Sequence, residues 1–137
     1  APMSTKSMTT AVDATFEIKN WVEQTVDDLP DEYKITRAAV TKRYDGAIRG
    51  TSLTEWTMSY VPDGSARFVG MERIEGFIEG HQGTLVLQHV GTFRDGVAKG
   101  TVEVVAGAGT DGLSRATGTG TFLADPAGSL KLDLAFD

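Results

Sequence analysis

Regular alternation of apolar and polar residues between glycine-containing turns is the feature of this sequence that most limits its fold. Residues 67–105 have the pattern of three antiparallel strands, because side chains along a β-strand point alternately to its two faces. The second and third strands meet at Asp95-Gly96, a dipeptide typical of tight hairpins. This turn pairs Arg94 with Val97 and thereby fixes the register of those two strands.

The hairpin before it brings together two titratable residues on an otherwise apolar strand face. We predict a four-residue loop at 79–82, which pairs Ile78 with Gly83. In this register Glu72 lies directly opposite His89. A carboxylate inside a folded domain must be paired or neutralised. The pair is therefore a candidate for acid/base chemistry, and the alternative is a structural ion pair or hydrogen bond.

A further strand extends this face towards the N-terminus. The segment Pro62-Asp63-Gly64 predicts a three-residue loop that places Trp56 opposite Gly70 and Thr54 opposite Glu72. Three glycines share the row of the indole: Gly70, Gly91 and Gly100. Glycines in such a row leave either a bed for the ring or open space for a ligand.

The rest of the chain supplies more strands of the same kind. Further alternating stretches lie at residues 14–22, 33–44, 114–123 and 130–136, whereas the acidic segment 23–32 is predicted to be a loop. The inner face of the second strand is open, being either Thr36, Ala38 and Val40 or Ile35, Arg37 and Ala39. A two-residue turn at Asp45-Gly46 would reverse the inner face of the next strand, so we expect a three-residue loop or a bulge near Gly46 or Gly50.

Eight strands predict an all-β fold, an eight-stranded antiparallel up-and-down β-barrel or a closely related sheet. A barrel of this size is either filled by its own side chains or holds one small ligand. The 137 residues form one domain, with the barrel at 14–137 and a flexible N-terminal segment at 1–13. Within that segment, Ala1-Pro2 before Met3 has the character of a cloning remnant.

Composition excludes several classes of function. A net charge of −6 without a basic cluster argues against a nucleic-acid partner. The absence of cysteine excludes disulfides and thiolate chemistry. No apolar run approaches the roughly 20 residues of a membrane helix, and no signal-peptide core is present, so we expect a cytoplasmic protein without a membrane partner.

Three segments carry a resemblance to a known family: FVGMERIEG, LVLQHVGTF and GAGTDGLSRATGTG. Together they resemble an uncharacterised bacterial family of short barrels that is grouped with allene oxide cyclase and dirigent-like proteins. The resemblance covers residues 15–122. It implies an eight-stranded barrel of the allene-oxide-cyclase, calycin type. The catalysts of that superfamily act on apolar, unsaturated substrates without metals, and the resemblance also suggests oligomerisation.

These observations lead to a functional hypothesis with an alternative. We expect a small-molecule barrel that acts on an apolar ligand as a cofactor-independent isomerase, cyclase or lyase, with Glu72 as acid or base and His89 as its partner. The alternative is a non-catalytic binding or carrier barrel, and a third possibility is a purely structural barrel with a filled interior. No metal or cofactor is expected. The predicted ligand-binding residues are Thr54, Trp56, Met58, Tyr60, Phe68, Gly70 and Phe93.

The outer wall of the barrel carries apolar residues among polar ones. In the predicted register Met71 and Val90 lie directly opposite each other on this wall. Exposed apolar patches are typical of subunit contacts, so we expect a homo-oligomer formed through this region. The alternative is that the N-terminal segment covers the patch.

Overall fold

The computed structural model describes residues 8–137, and its regular elements are nine strands and one short 3-10 turn. The long strands follow one another with short connections, as expected where turn residues separate alternating segments. The elements are β1 (Thr10–Asp28), the 3-10 turn (Pro30–Glu32), β2 (Lys34–Gly46), β3 (Ile48–Tyr60), β4 (Ala66–Ile78), β5 (His81–Arg94), β6 (Val97–Val104), β7 (Thr110–Asp111), β8 (Thr117–Asp125) and β9 (Ala127–Ala135).

Eight of these strands close into an antiparallel barrel, which confirms the predicted fold. Each long strand pairs with its neighbours in the sequence, β1 pairs with β9, and β7 is an extra two-residue strand that pairs with the start of β5. Among residues 8–137, no helix is long and apolar enough to cross a membrane.

Two of the three predicted registers are confirmed, and the one at the β4–β5 hairpin is wrong. Trp56 faces Gly70 across β3 and β4, and His89 faces Val102 across β5 and β6, as predicted. The β4–β5 turn, however, has only two residues, Glu79 and Gly80, so that Ile78 pairs with His81.

The reason for this error lies in the backbone of that turn. Both turn residues have positive φ, 48° for Glu79 and 79° for Gly80. This conformation suits the right-handed twist of a tight hairpin and needs no larger loop. The register therefore shifts by two residues, which keeps every side chain on its predicted face but places Glu72 opposite Leu87 and His89 opposite Gly70.

The first strand is longer than its pattern indicates. It includes Thr10–Asp13, which were assigned to the N-terminal segment, and it continues to Asp28 through most of the predicted acidic loop. A bulge between Ile18 and Asn20 interrupts the alternation, and such a bulge hides a continuing strand from a pattern of period two. The prediction for residues 1–7 lies outside the described residues.

The second strand has the first of its two predicted inner faces. Thr36, Ala38 and Val40 are buried, and the same face continues through Lys42 and Tyr44. Tyr44 pairs with Gly50, which leaves an odd number of residues between them and preserves the inner face from β2 to β3, as expected.

The glycine row provides close contacts rather than open space. A Cβ atom on Gly70 would overlap the carbonyl oxygen of Glu55, and one on Gly91 would overlap the ring of Phe68. The missing side chains thus allow neighbouring backbones to approach and allow the Phe68 ring to pack against Gly91. Of the two predicted roles for this row, the structure shows the first.

Candidate functional site

Glu72 lies at the centre of the barrel and is hydrogen-bonded to His89. The Oε1 atom of Glu72 is 2.8 Å from Nε2 of His89, and both residues are 0 % exposed. The shifted register makes them diagonal neighbours rather than direct partners, and diagonal side chains on one face of a sheet remain within reach. The predicted pair is therefore present, although its predicted register is wrong.

Three more residues complete the surroundings of this carboxylate. Tyr44 and Ser52 each donate a hydrogen bond of 2.6 Å to Oε2 of Glu72. The ammonium of Lys42 lies 3.5 Å from Oε1. We call Lys42, Tyr44, Ser52, Glu72 and His89 the Glu72 cluster.

Trp56 fixes the tautomer of His89. Its indole Nε1, which can only donate, lies 3.2 Å from Nδ1 of the imidazole. Nδ1 therefore accepts, and the ring hydrogen of neutral His89 sits on Nε2, where it is donated to Glu72. The imidazole is held on both sides and is oriented by its neighbours.

The charges in the cluster determine which group can carry a proton. Burial alone would raise the pKa of Glu72, but the charge of Lys42 and the hydrogen bonds from His89 and Ser52 outweigh it and hold the pKa well below its usual range. Burial lowers the pKa of Lys42 and of His89, against the opposing effect of Glu72 in each case. Glu72 is thus held as a carboxylate by its neighbours, and the acid/base role predicted for it stays a prediction.

Lys42 is the least satisfied member of the cluster. Its side chain is 1 % exposed, and within the described part of the chain its Nζ atom has no hydrogen-bond partner. The ammonium lies 4.5 Å from the centre of the Phe16 ring. This cation–π contact is favourable, but it supplies no hydrogen-bond acceptor lone pair to the ammonium. A buried ammonium with unused donors is costly, since its lost hydration is only partly replaced.

A second group of polar residues closes the end of the barrel at which β1 terminates. Past the bulge, Trp21 and Glu23 face the interior side of β1, and Glu23 accepts hydrogen bonds from three side chains. These bonds are 3.0 Å from Trp21 Nε1 to Oε1, 2.7 Å from the Tyr60 hydroxyl to Oε2, and 2.6 Å from the Thr36 hydroxyl to Oε2. We call Trp21, Glu23, Thr36 and Tyr60 the Glu23 cluster.

Trp21 connects this end of the barrel with the interior. Its ring lies 5.5 Å from that of Trp56, in an edge-on arrangement, and 6.5 Å from that of Phe93. Beyond Phe16, β1 pairs with β2 but no longer with β9. Trp21 therefore covers Trp56 from a strand segment that is hydrogen-bonded along one edge.

The predicted ligand-binding residues fall into two groups. Tyr60 and Phe93 are partly exposed at the end of the barrel, next to Trp21. The rest face the interior and contact other protein atoms, with the Trp56 ring stacked 4.2 Å from Phe68 and 5.8 Å from Phe122. The buried members of the predicted set are Thr54, Trp56, Met58 and Phe68, and the space beside Gly70 is taken by backbone.

Six residues of the two clusters were not predicted as site residues: Trp21, Glu23, Thr36, Lys42, Tyr44 and Ser52. Lys42 and Tyr44 could have been found, because they continue the alternation of Thr36, Ala38 and Val40. Ser52 could have been found in the same way, because it lies on the same face of its strand as Thr54 and Trp56. Trp21 and Glu23 carried no usable signal, because the bulge shifts their phase relative to Phe16 and Ile18.

The outer wall also differs from its prediction. Met71 lies opposite Gln88, and Val90 lies opposite Val69. The predicted Met71–Val90 pair is therefore wrong, because the register between β4 and β5 is shifted by two residues. The wall has a groove of about 930 Å³. Among its lining residues are Arg67, Val69, Val90 and Leu123, together with the buried rings of Phe68 and Phe122. Within residues 8–137, no group of three or more His, Asp or Glu side chains is arranged to hold a metal ion.

Similarity to other proteins identifies a family but no activity. No functionally curated protein matches this chain. A solved structure from Shewanella oneidensis MR-1, described as a protein with unknown function from the DUF3224 family, has 24 % identity and a TM-score of 0.74, covering 94 % of this chain and 98 % of its own. Likeness at that identity shows a shared fold. The family described as "Protein of unknown function (DUF3224)" matches residues 12–136, and this chain therefore belongs to that family.

Proposed function

We propose that this protein binds a small, largely apolar molecule that carries a carbonyl or carboxylate oxygen. In this proposal the ligand replaces Trp21 at the end of the barrel, contacts Trp56, and directs its oxygen towards Lys42. The observation that carries the proposal is the Lys42 ammonium, which is buried and has hydrogen-bond donors that the described residues leave unused. A ligand oxygen would supply the missing acceptor.

The surroundings of Lys42 support the apolar character of the ligand. Its ammonium lies 4.5 Å from the ring of Phe16 and 5.6 Å from that of Trp56. Pockets for small molecules usually combine an apolar wall with one or a few polar groups that set the orientation. Glu72, held by Tyr44, Ser52 and His89, would fix the position of the ammonium rather than bind the ligand itself.

In this proposal the ligand enters the barrel past Trp21, where β1 is hydrogen-bonded along only one edge. Trp21 is anchored by one side-chain hydrogen bond, to Glu23, and lies on the singly paired segment of β1. Moving this indole would uncover Trp56 without breaking the closed part of the barrel. The covered state described above would then be the ligand-free state.

The test is a fluorescence titration, because the two tryptophans of the chain are Trp21 and Trp56. Ten-carbon probes that differ only in the head group, namely decanal, decanoate, decylamine and decane, are added to the wild-type protein and to Lys42→Met. We expect the two oxygen-bearing probes to change the emission and to bind at least about tenfold more tightly than decylamine. This preference should disappear in Lys42→Met. The substitution leaves the buried Glu72 without its counter-ion and lowers the stability of the protein, so circular dichroism first establishes a temperature at which the variant is folded.

Two results would contradict this function. Equal affinity for all four probes would show that no oxygen is recognised. An unchanged preference in Lys42→Met would show that recognition occurs elsewhere, and Lys131→Met, a change on the outer face of β9, serves as the matched control.

Catalysis is a second candidate, favoured by the contact of one carboxylate oxygen with two other titratable groups. Oε1 of Glu72 is 3.5 Å from the ammonium of Lys42 and 2.8 Å from Nε2 of His89. Because Glu72 is held as an anion, Lys42 is the better candidate for proton transfer in an isomerase, cyclase or lyase reaction.

The resemblance to allene oxide cyclases motivates the catalytic candidate, which stays a prediction. It is tested by following a bound probe by NMR, where a ligand that remains unchanged over many hours would leave binding as the function.

A further inference from the structure

The outer wall over β4, β5 and β6 carries three parallel rows of side chains with different chemistry. The strand registers align Arg67, Thr92 and Lys99 in a cationic row, and they align Val69, Val90 and Thr101 in a middle row. The third row consists of Met71, Gln88 and Glu103. We call these nine residues the three-row patch.

The middle row of this patch exposes an unusual amount of apolar surface. Val69 is 53 % exposed and Val90 is 51 % exposed, and the two lie directly opposite each other. Met71, in the next row, is 49 % exposed. Contiguous exposed apolar side chains with polar residues around them mark contact surfaces.

The two outer rows have opposite charge. Lys99 and Glu103 lie on the same face of β6, four residues apart, and are separated by about 13 Å along an extended strand. Both are exposed, and neither is within salt-bridge distance of another described charged side chain. The cationic row therefore offers a positive charge to a partner, and the third row offers a negative one.

We propose that a second copy of this chain docks on the three-row patch as a two-fold dimer whose axis runs along the middle row. A two-fold contact is formed by the same patch on both subunits. With this axis the middle rows meet each other, and Lys99 of each copy meets Glu103 of the other. The patch is thus complementary in charge to itself, which selects a second copy over an unrelated partner.

Charge complementarity also distinguishes this occupant from a small molecule in the neighbouring groove. That groove is lined by the cationic and middle rows, with Arg67 and Lys99 among its residues, and does not include Glu103. An amphipathic anion could fill the groove, but it would make no contact with Glu103 in the third row. A second copy uses all three rows.

The experiment measures the mass of the full chain by analytical ultracentrifugation, for the wild type and for Lys99→Glu, Glu103→Lys and an equimolar mixture of these two variants. The wild type should sediment with twice the monomer mass of 14.6 kDa. Each single variant brings like charges together across the axis and should weaken the dimer at least about tenfold. The mixture should restore it as a one-to-one heterodimer, because each contact then joins opposite charges.

Controls separate this arrangement from general charge effects. Arg115→Glu changes the net charge by the same amount as Lys99→Glu, and Arg115 lies in the exposed segment before β8, so this variant should remain dimeric. Val90→Asp should abolish the dimer without affecting the fold, since its side chain is half exposed.

Four results would overturn the proposal. They are a monomeric wild type, a dimer that persists in both single variants, a mixture that stays monomeric, or a monomer that binds dodecanoate with an affinity sensitive to Val90→Asp. The last result would assign the middle row to a small amphipathic molecule.

Discussion

Two carboxylates of this barrel have nearly the same set of hydrogen-bond donors but very different surroundings. Glu72 accepts from a tyrosine and a serine on Oε2 and from the ring nitrogen of a histidine on Oε1. Glu23 accepts from a tyrosine and a threonine on Oε2 and from the ring nitrogen of a tryptophan on Oε1. Glu72 is 0 % exposed, whereas Glu23 is on the exposed end of β1.

This comparison shows that a donor set alone does not define a role. The interior adds the ammonium of Lys42 to the surroundings of Glu72 and removes water, so each charge depends on the others. At the end of the barrel water can replace any donor that Glu23 loses. The same kind of donor set therefore surrounds a buried ion pair at Glu72. At Glu23 it instead anchors Trp21, which we propose to be a removable cover.

The largest difference between the two sites should appear on removal of each carboxylate. Glu72→Ala leaves the buried ammonium of Lys42 without a counter-ion and should lower the free energy of unfolding by about 3–5 kcal/mol. Glu23→Ala should cost less, about 1–2 kcal/mol, because water can reach the Trp21 and Tyr60 donors and only the Thr36 hydroxyl is buried. Urea denaturation of both variants measures these values, and equal losses would show that the two carboxylates have equivalent environments.

Removal of the tyrosine hydroxyls should give a smaller difference of the same sign. Tyr44→Phe deletes a donor to a buried anion and should cost about 1.5–3 kcal/mol, the usual range for a hydrogen bond to a charged group. Tyr60→Phe should cost less than about 1 kcal/mol, since Glu23 can bind water instead. The two variants differ from wild type by one oxygen each, so denaturation midpoints compare them directly. A larger loss of stability in Tyr60→Phe than in Tyr44→Phe would contradict the argument that water replaces the Tyr60 hydroxyl at Glu23.

The sequence predicted the barrel and two of the five residues of the Glu72 cluster for a common physical reason. Alternation determines which face a side chain takes, and a shift of two residues leaves that face unchanged. Glu72 and His89 were therefore correctly placed inside, even though the turn at Glu79-Gly80 was predicted too long. The closed barrel followed from the same alternation.

What the sequence did not predict depends on backbone irregularity and on three-dimensional distance. Nothing in the local pattern indicates that Lys42, thirty residues before Glu72, would lie 3.5 Å from it. A lysine in an alternating strand is usually exposed, and only closure of the barrel buries this one. The bulge after Ile18 likewise concealed Trp21, the residue that now covers the interior.

Acid should reveal the contribution of the buried histidine, His89, to the stability of the fold. Burial holds the pKa of His89 below its ordinary value, so the unfolded chain takes up a proton first as the pH falls. The stability that His89 contributes is present above about pH 6.5 and is lost below it, with a slope of up to about 1.4 kcal/mol per pH unit. Glu72, whose pKa is also lowered, adds a loss of the same sign below about pH 4.5.

Paired substitutions isolate the contribution of the buried imidazole. Glutamine can donate to Glu72 and accept from Trp56, so His89→Gln should flatten the stability profile between pH 6.5 and the onset of carboxylate protonation near pH 4.5. His81→Gln, at the β4–β5 turn outside both clusters, is the control for the loss of an imidazole elsewhere in the chain. A profile that keeps its slope in His89→Gln would show that the acid sensitivity originates elsewhere.

The smallest expected effect concerns the mobility of the cover itself. Glu23→Ala removes the side-chain hydrogen bond of Trp21 but leaves its contacts with Trp56 and Phe93, so the fold should be retained. Measured in a Trp56→Phe background, in which Trp21 is the only tryptophan, the fluorescence anisotropy of Trp21 should fall, because an indole without its anchor moves faster. Lys19→Ala, also on β1, is the control. An unchanged anisotropy would mean that ring packing holds Trp21, and the Glu23 cluster would then have no part in controlling entry to the barrel.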